Sequence, residues 1–249
     1  MQSRVVVIGG GTGISACLRG LKVYNSVSVA AIVSPFDNGG SASYFRKNGH
    51  PAPNDFRKAL CALSTVDPTD PFFRAFCHRH DAYPLAGHVN GNFSVDYLFT
   101  CNENDRRRLM ARIKHVLQVQ GDVYLASYTP ADLYARREDG TMLVGETAID
   151  CPRDASAHKR ITDVWLEPAP EANPEAVEAL QKADMIVIGP GDLYSSLFGN
   201  LMVLRSAIAE SPAIKVYVAN LMTKYGETTS FSLSDFVFEI VHCLGQLPH

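Results

Sequence analysis

Short, continuous apolar runs alternate with amphipathic stretches along the whole chain. Val5–Ile8 is an unbroken β-branched run that ends in glycine, the mark of a strand buried on both faces. Ile14–Leu21 follows with helical spacing, and Val27–Val33 reads as a second buried strand. Asp55 stands where an N-cap belongs, ahead of Phe56, Ala59, Leu60 and Leu63 on one helical face. Asp70-Pro71 opens another helix, and Leu109, Ile113, Val116 and Leu117 form a third apolar stripe. Asp122–Ser127 predicts a strand, and Leu133–Val144 a hairpin turning at Asp139-Gly140. Asn173-Pro174-Glu175 starts a helix through Leu180, and Met185–Ile188 is a further buried strand. A helix around Tyr194–Ala209, a strand Lys215–Asn220 and a last helix ending near Gly245 complete the pattern. Such alternation predicts an α/β fold, a doubly wound, mostly parallel sheet with helices on both faces. Ligands of these sheets bind at the carboxyl ends of the strands, where the strand order reverses.

Composition narrows this only slightly. The 249 residues are 46% apolar and 20% charged, which suits one large α/β domain spanning 1–249, and no repeat or linker divides them. A net charge of −3 argues against nucleic-acid binding through a basic face. No apolar run is longer than that of Val29–Val33, far short of a membrane span, and the N-terminal run passes into glycines without the core of a signal peptide. Six scattered cysteines without a CxxC predict reduced, mostly structural thiols and a cytoplasmic location.

The candidate chemistry lies in glycine-rich loops. Gly9-Gly10-Gly11-Thr12-Gly13 sits between a strand and a helix, where missing Cβ atoms let a phosphate approach helix N–H groups. Gly11-x-Gly13-x-x-Ala16 satisfies a relaxed dinucleotide fingerprint, and no Gly-Lys-Ser/Thr follows, so it is not a Walker loop. A second loop, Asp37-Asn38-Gly39-Gly40-Ser41, offers a ribose-binding carboxylate or a cradle for an anion or metal-linked phosphate. The third, Gly189-Pro190-Gly191-Asp192, again joins strand to helix, so all three would share one sheet edge. His88, within Gly87-His88-Val89-Asn90-Gly91-Asn92, could bond a phosphate or exchange a proton. In Cys77-His78-Arg79-His80 only Cys77 and His80 would share a helical face, without a second zinc pair, and Arg106-Arg107-Arg108 reads as a solvated face.

Taken in order, GGGTG, DNGGS, PND, GHxxGN, the pair Asp139-Gly140 and Gly145-Glu146, GPGDLYSS and NLMTKYGET (Asn220–Thr228) resemble the CofD-like superfamily, from about residue 4 to 228. That superfamily holds 2-phospho-L-lactate transferases and YvcK-type gluconeogenesis factors, and the GHxxGN, GPGxLYxS and NxMTxxGET blocks are more similar to the YvcK-type branch. The resemblance implies a Rossmann-like fold and a nucleotide-diphosphate or UDP-sugar ligand, with Mg2+ where transfer occurs. It implies that Gly10, Gly11, Thr12 and Gly13 cradle the diphosphate beside Asp37 and Asn38, and that Asp55, His88 and Asn92 complete the pocket with Asn220 and Thr223. Asp37 and Asp55 would be the metal ligands, and His88 and Asp55 the catalytic groups. Members often pair, so a homodimer is expected.

The chain departs from the family pattern at Asn38, where a second aspartate is usual, which weakens Mg2+ ligation. It departs again at Lys58, which brings a cation near the pocket, and at Asp192, commonly serine. It ends 21 residues after Thr228, so its C-terminal end reads as shortened. The leading expectation is a UDP-sugar-like ligand bound by a metabolic regulator. The alternatives are a Mg2+-dependent phosphoester transferase and, third, an NAD(P)-dependent oxidoreductase.

Overall fold

A computed structural model describes residues 2–152 and 156–245. The chain runs β1 (Ser3–Gly9), α1 (Gly11–Leu21), β2 (Val27–Val33), α2 (Ala42–Lys47), α3 (Asn54–Leu63), α4 (Pro71–Cys77), α5 (Asn90–Thr100) and α6 (Glu103–Val116). It continues β3 (Asp122–Leu125), β4 (Asp132–Arg137), β5 (Met142–Val144), α7 (Glu146–Asp150), β6 (Ile161–Glu167), α8 (Pro174–Gln181) and β7 (Met185–Ile188). A π-helical turn, Leu193–Phe198, leads into α9 (Gly199–Glu210), followed by β8 (Ile214–Tyr217) and α10 (Leu233–Cys243).

Five strands form an all-parallel sheet in the order β3-β2-β1-β7-β8. The order reverses between β1 and β7, which makes the gap beyond their carboxyl ends the switch point. The central strands β1, β2 and β7 bury both faces, and successive side chains feed opposite layers. Val5 and Val7 pack with Leu18, Leu60, Leu98 and Leu117 under α1, α3, α5 and α6. Val6 and Ile8 pack with Leu180, Leu201 and Ile240 under α8, α9 and α10. The fold is therefore the expected Rossmann-like α/β sandwich. The predicted hairpin forms as β4 and β5, but it joins β6 in a separate antiparallel sheet, β5-β4-β6, that closes over the second layer.

Several local expectations need correction. Pro53, not Asp55, is the N-cap of α3, and the Asp55 carboxylate reaches a neighbouring helix instead. Asp70 does cap α4, accepting from the N–H groups of Phe72 and Phe73. That helix ends at Cys77, so His78–His80 lie outside it and no helical face joins Cys77 to His80. Val116 is exposed at the end of α6, where the stripe turns out of the core before Leu117 turns back in. Arg106 is half-buried: its guanidinium stacks on the Tyr128 ring at 4.6 Å and its Nε donates to the Leu98 carbonyl. The helices α2 and α5 and the strand β6 have no counterpart in the hydrophobic pattern. Among the described residues no helix is long and apolar enough to cross a membrane.

Candidate functional site

The loops after β1, β2 and β7 meet at one edge because their strands are adjacent in the sheet. Gly10–Gly13, Pro190–Asp192 and Ser196 line a cleft of about 630 Å3 with the segment from Val218 to Met222. Two glycines here answer steric demands. A Cβ on Gly13 would lie 2.5 Å from the Pro190 carbonyl oxygen, so the first helix can approach the third loop only without one. Gly11 has φ +62 and faces open space, a backbone state other residues adopt with strain. Asn220 lines the cleft, whereas Thr223 is exposed beyond its lining residues. Gly189 holds φ +85 at the end of β7, where a Cβ would stand 2.9 Å from the Val218 carbonyl oxygen.

The second loop and the Gly87–Asn92 segment form a hydrogen-bonded block beside the cleft. Asn92, 1% exposed at the start of α5, is its hub. Its Oδ1 accepts from Arg57 Nε at 2.8 Å, and its Nδ2 donates to Asn54 Oδ1 at 2.8 Å and Ser41 Oγ at 3.2 Å. Asn54 in turn donates to Asp37 Oδ2, and Asp37 Oδ1 accepts from the Gly39 N–H. His88 shares a 3.1 Å hydrogen bond between Nδ1 and Ser41 Oγ, with its ring against Phe93 and Tyr44. Asn38 is turned toward α7, where its Oδ1 accepts from both the N–H and the hydroxyl of Thr147. Gly145, at φ +87, leaves the room for that: a Cβ there would overlap the Asn38 amide. Gly40, at φ +47, has no neighbour within 4 Å of a Cβ position.

Asp55 joins the two halves. Its Oδ2 accepts from the Gly11 N–H at 2.8 Å, and its Oδ1 is paired with Lys58 at 2.8 Å. A carboxylate at a helix N-terminus is favourable, and here it takes one of the donors an incoming anion would otherwise use. The first turn of α1 keeps the N–H groups of Thr12 and Gly13, which have no intrahelical acceptor.

Sequence reasoning left five charged residues at this edge without a role. Glu146 opens α7, and burial together with the Asp37, Asp150 and Asp55 carboxylates pushes its pKa up to about 8. Asp37 is raised as well, first by burial and then by Asp55. A Cβ on Gly39 would lie 3.3 Å from Asp37 Oδ1 and 3.9 Å from Glu146 Oε2, so the two carboxyls converge there. Beyond them, Lys224 pairs with Asp150, with Asp192 at 2.8 Å and with Glu227 at 3.2 Å. Those three carboxylates raise the Lys224 pKa against the opposing effect of its burial. Glu227, 2% exposed, holds the π-helical turn: it accepts from the Tyr194 N–H at 3.1 Å and the Ser195 hydroxyl at 2.7 Å. The Gly145-Glu146 and Gly226-Glu227-Thr228 blocks were visible in the sequence, but nothing local in them indicates that they meet.

The donor chemistry separates two cation positions. Asp150, Asp192 and Glu227 bring oxygens within 4.8 Å of one another, but the Lys224 ammonium already sits among them. Asp37 and Glu146 carry mutual repulsion that a hard divalent ion would relieve, and their oxygen donors suit Mg2+. Asp55 is less suited as a ligand, because the Lys58 ammonium already neutralises its Oδ1.

Residues 5–247 match the family model described as 2-phospho-L-lactate transferase CofD. The chain belongs to the CofD family. It is 42% identical to the gluconeogenesis factor of Halalkalibacterium halodurans over 97% of this chain and 74% of the relative. The gluconeogenesis factor of Listeria monocytogenes is 40% identical, over 97% of this chain and 73% of that one. That of Bacillus subtilis is 37% identical, over 95% and 73%. A crystal structure of a Bacillus halodurans protein, 40% identical, superposes with a TM-score of 0.88 over 98% of this chain and 78% of its own. Within this CofD-family fold a second hollow, of about 510 Å3, lies against edge strand β3 between α6 and α8. It is lined by Phe99, Arg106, Tyr128 and Asn173 and shares no residue with the glycine loops, so the switch-point cleft is the candidate site.

Proposed function

We propose that this CofD-family chain binds a nucleoside-diphosphate sugar of the UDP-sugar class at its switch-point cleft and acts as a ligand-gated metabolic regulator. The relatives named gluconeogenesis factors support the regulatory half of this reading. The observation that carries the binding half is the open, Cβ-free floor at Gly11, beside the free first-turn N–H groups of α1. A diphosphate there would receive N–H donors and the positive end of the helix dipole. It would also meet Asp37, Asp55 and Glu146, which repel it. A Mg2+ ion held by Asp37 and Glu146 would supply the positive charge that offsets this repulsion. Lys58, through Asp55, fixes the first loop, and Asn92 fixes Asp37 through Asn54.

Calorimetry with UDP-N-acetylglucosamine and other UDP-sugars, with and without Mg2+, tests this. Wild type should bind in the presence of Mg2+, and Gly11→Val should not. Absence of binding to every nucleoside diphosphate would overturn it. A second reading, phosphoester transfer, draws on Glu146. With the cation on Asp37 instead, a Glu146 carboxyl at about 8 is matched to accept a proton from a hydroxyl acceptor near neutral pH. Mg2+-dependent consumption of a nucleoside-diphosphate donor with a hydroxyl acceptor, lost in Glu146→Gln, would favour transfer over regulation.

A further inference from the structure

Cys61 and Cys77 lie on different helices, sixteen residues apart, with their sulfurs 3.3 Å from each other. Cys61 is in the C-terminal half of α3, and Cys77 is the last residue of α4. Both are half-buried, so a small oxidant can reach them. Arg57, one turn before Cys61, presents Nη1 to the Cys61 sulfur at 4.0 Å while its Nε holds Asn92. Two thiols beside a fixed guanidinium are an unusual use of cysteine in a chain without a CxxC. Reactive cysteines sit in electropositive, partly exposed surroundings, while inert ones are buried among apolar groups.

We infer that Cys61 and Cys77 form a peroxide-reactive dithiol, closing to a reversible disulfide that ties α3 to the end of α4. The contact with Cys61 and the Arg57 charge lower the Cys77 pKa, against the opposing effect of burial. The same contact and burial push Cys61 up. One thiolate of the pair attacks one oxygen of a hydroperoxide; the O–O bond breaks, an S–O bond forms, and hydroxide leaves with the electron pair. The other sulfur then attacks the sulfenic sulfur. The S–S bond forms as the S–O bond breaks, and the departing hydroxide takes the second thiol's proton as water. The pair loses two electrons and the peroxide gains them. A disulfide needs sulfurs at about 2.05 Å, so an approach of roughly 1.3 Å completes the bond. The helix that would be tied, α3, is the one carrying Asn54 and Asp55 at the cleft.

The test is peptide mapping under non-reducing conditions after the whole protein meets stoichiometric hydrogen peroxide at about pH 7. A Cys61–Cys77 bridge should form ahead of any other cysteine oxidation and be reversed by dithiothreitol. Cys61→Ser and Cys77→Ser should each form no bridge and stop at a sulfenic acid on the remaining thiol, which dimedone traps. The wild-type map needs no variant: if Cys61 and Cys77 stay reduced while the exposed Cys151 is oxidised, the inference falls.

Discussion

Glu146→Gln should stabilise the protein at alkaline pH and leave it almost unchanged near pH 5. Glu146 is half-buried among Asp37, Asp150 and Asp55, and its pKa stands at about 8 against an ordinary 4.5. The folded chain thus binds a proton that the unfolded chain has released between those two values. By linkage, stability falls as pH rises through that window, because the folded state must give up a proton it holds tightly. Each pH unit is worth about 1.4 kcal/mol, so the full window sets an upper bound of roughly 5 kcal/mol. Partial exposure and local relaxation reduce this to about 2 kcal/mol. Glutamine has the shape of the protonated acid and no charge to hold. Urea unfolding of both proteins at pH 5 and pH 8.5 measures the difference, with unchanged slope required for the comparison. The variant should gain about 2 kcal/mol at the higher pH and within ~0.5 kcal/mol of nothing at the lower. An equal difference at both pH values, or a variant less stable at pH 8.5, would refute the reasoning. Mg2+ should narrow the gap at pH 8.5 by stabilising the wild type alone, if Asp37 and Glu146 hold it.

Other perturbations probe the supports of the cleft. Glu227→Ala removes a buried carboxylate that holds the 193–198 turn and pairs with Lys224, and should cost about 3–5 kcal/mol in denaturant unfolding. Asn92→Ala strands Arg57 Nε and Asn54 Oδ1 in the interior; a loss of about 2–4 kcal/mol is expected, with weaker ligand binding as Asp37 loses its orientation. Gly13→Ala would set a methyl 2.5 Å from the Pro190 carbonyl oxygen, so a drop of about 1–3 kcal/mol and lost UDP-sugar binding should follow. At Gly20, where a Cβ meets nothing within 4 Å, the same substitution should leave binding intact, as calorimetry would show.

Much of the sheet was legible because a strand buried on both faces must be apolar at every position. Val5–Ile8, Val29–Val33 and Met185–Ile188 carry that signature, and all three lie in strands. Helix α5 was not legible, because it begins Asn90-Gly91-Asn92, residues that favour turns on local grounds. Its first turn forms because Asn92 is needed as a buried hub, and Gly91 lets Phe76 and Arg57 come close. Strand β6 escaped notice for a different reason: it is half exposed and pairs with β4 alone, so only part of it is apolar.

Within the site the division is equally physical. The three glycine loops could be read from the chain, since a glycine-rich turn between a strand and a helix is a local event governed by φ and by missing Cβ atoms. That they would share an edge followed from parallel strands. Which carboxylates face each other did not follow. Asp37, Glu146, Asp150, Asp192 and Glu227 come from distant segments, and only the β5-β4-β6 sheet brings α7 back beside the second loop. The Asp55 carboxylate makes the same point: its place in the sequence suggested a cap for α3, and the packing of α1 on α3 turned it onto Gly11. Local sequence determined the strands, the loops and the anion-ready helix end. Charge, proton affinity and cation preference were decided by tertiary structure, because electrostatic energy depends on distance and burial, and neither is written in sequence separation.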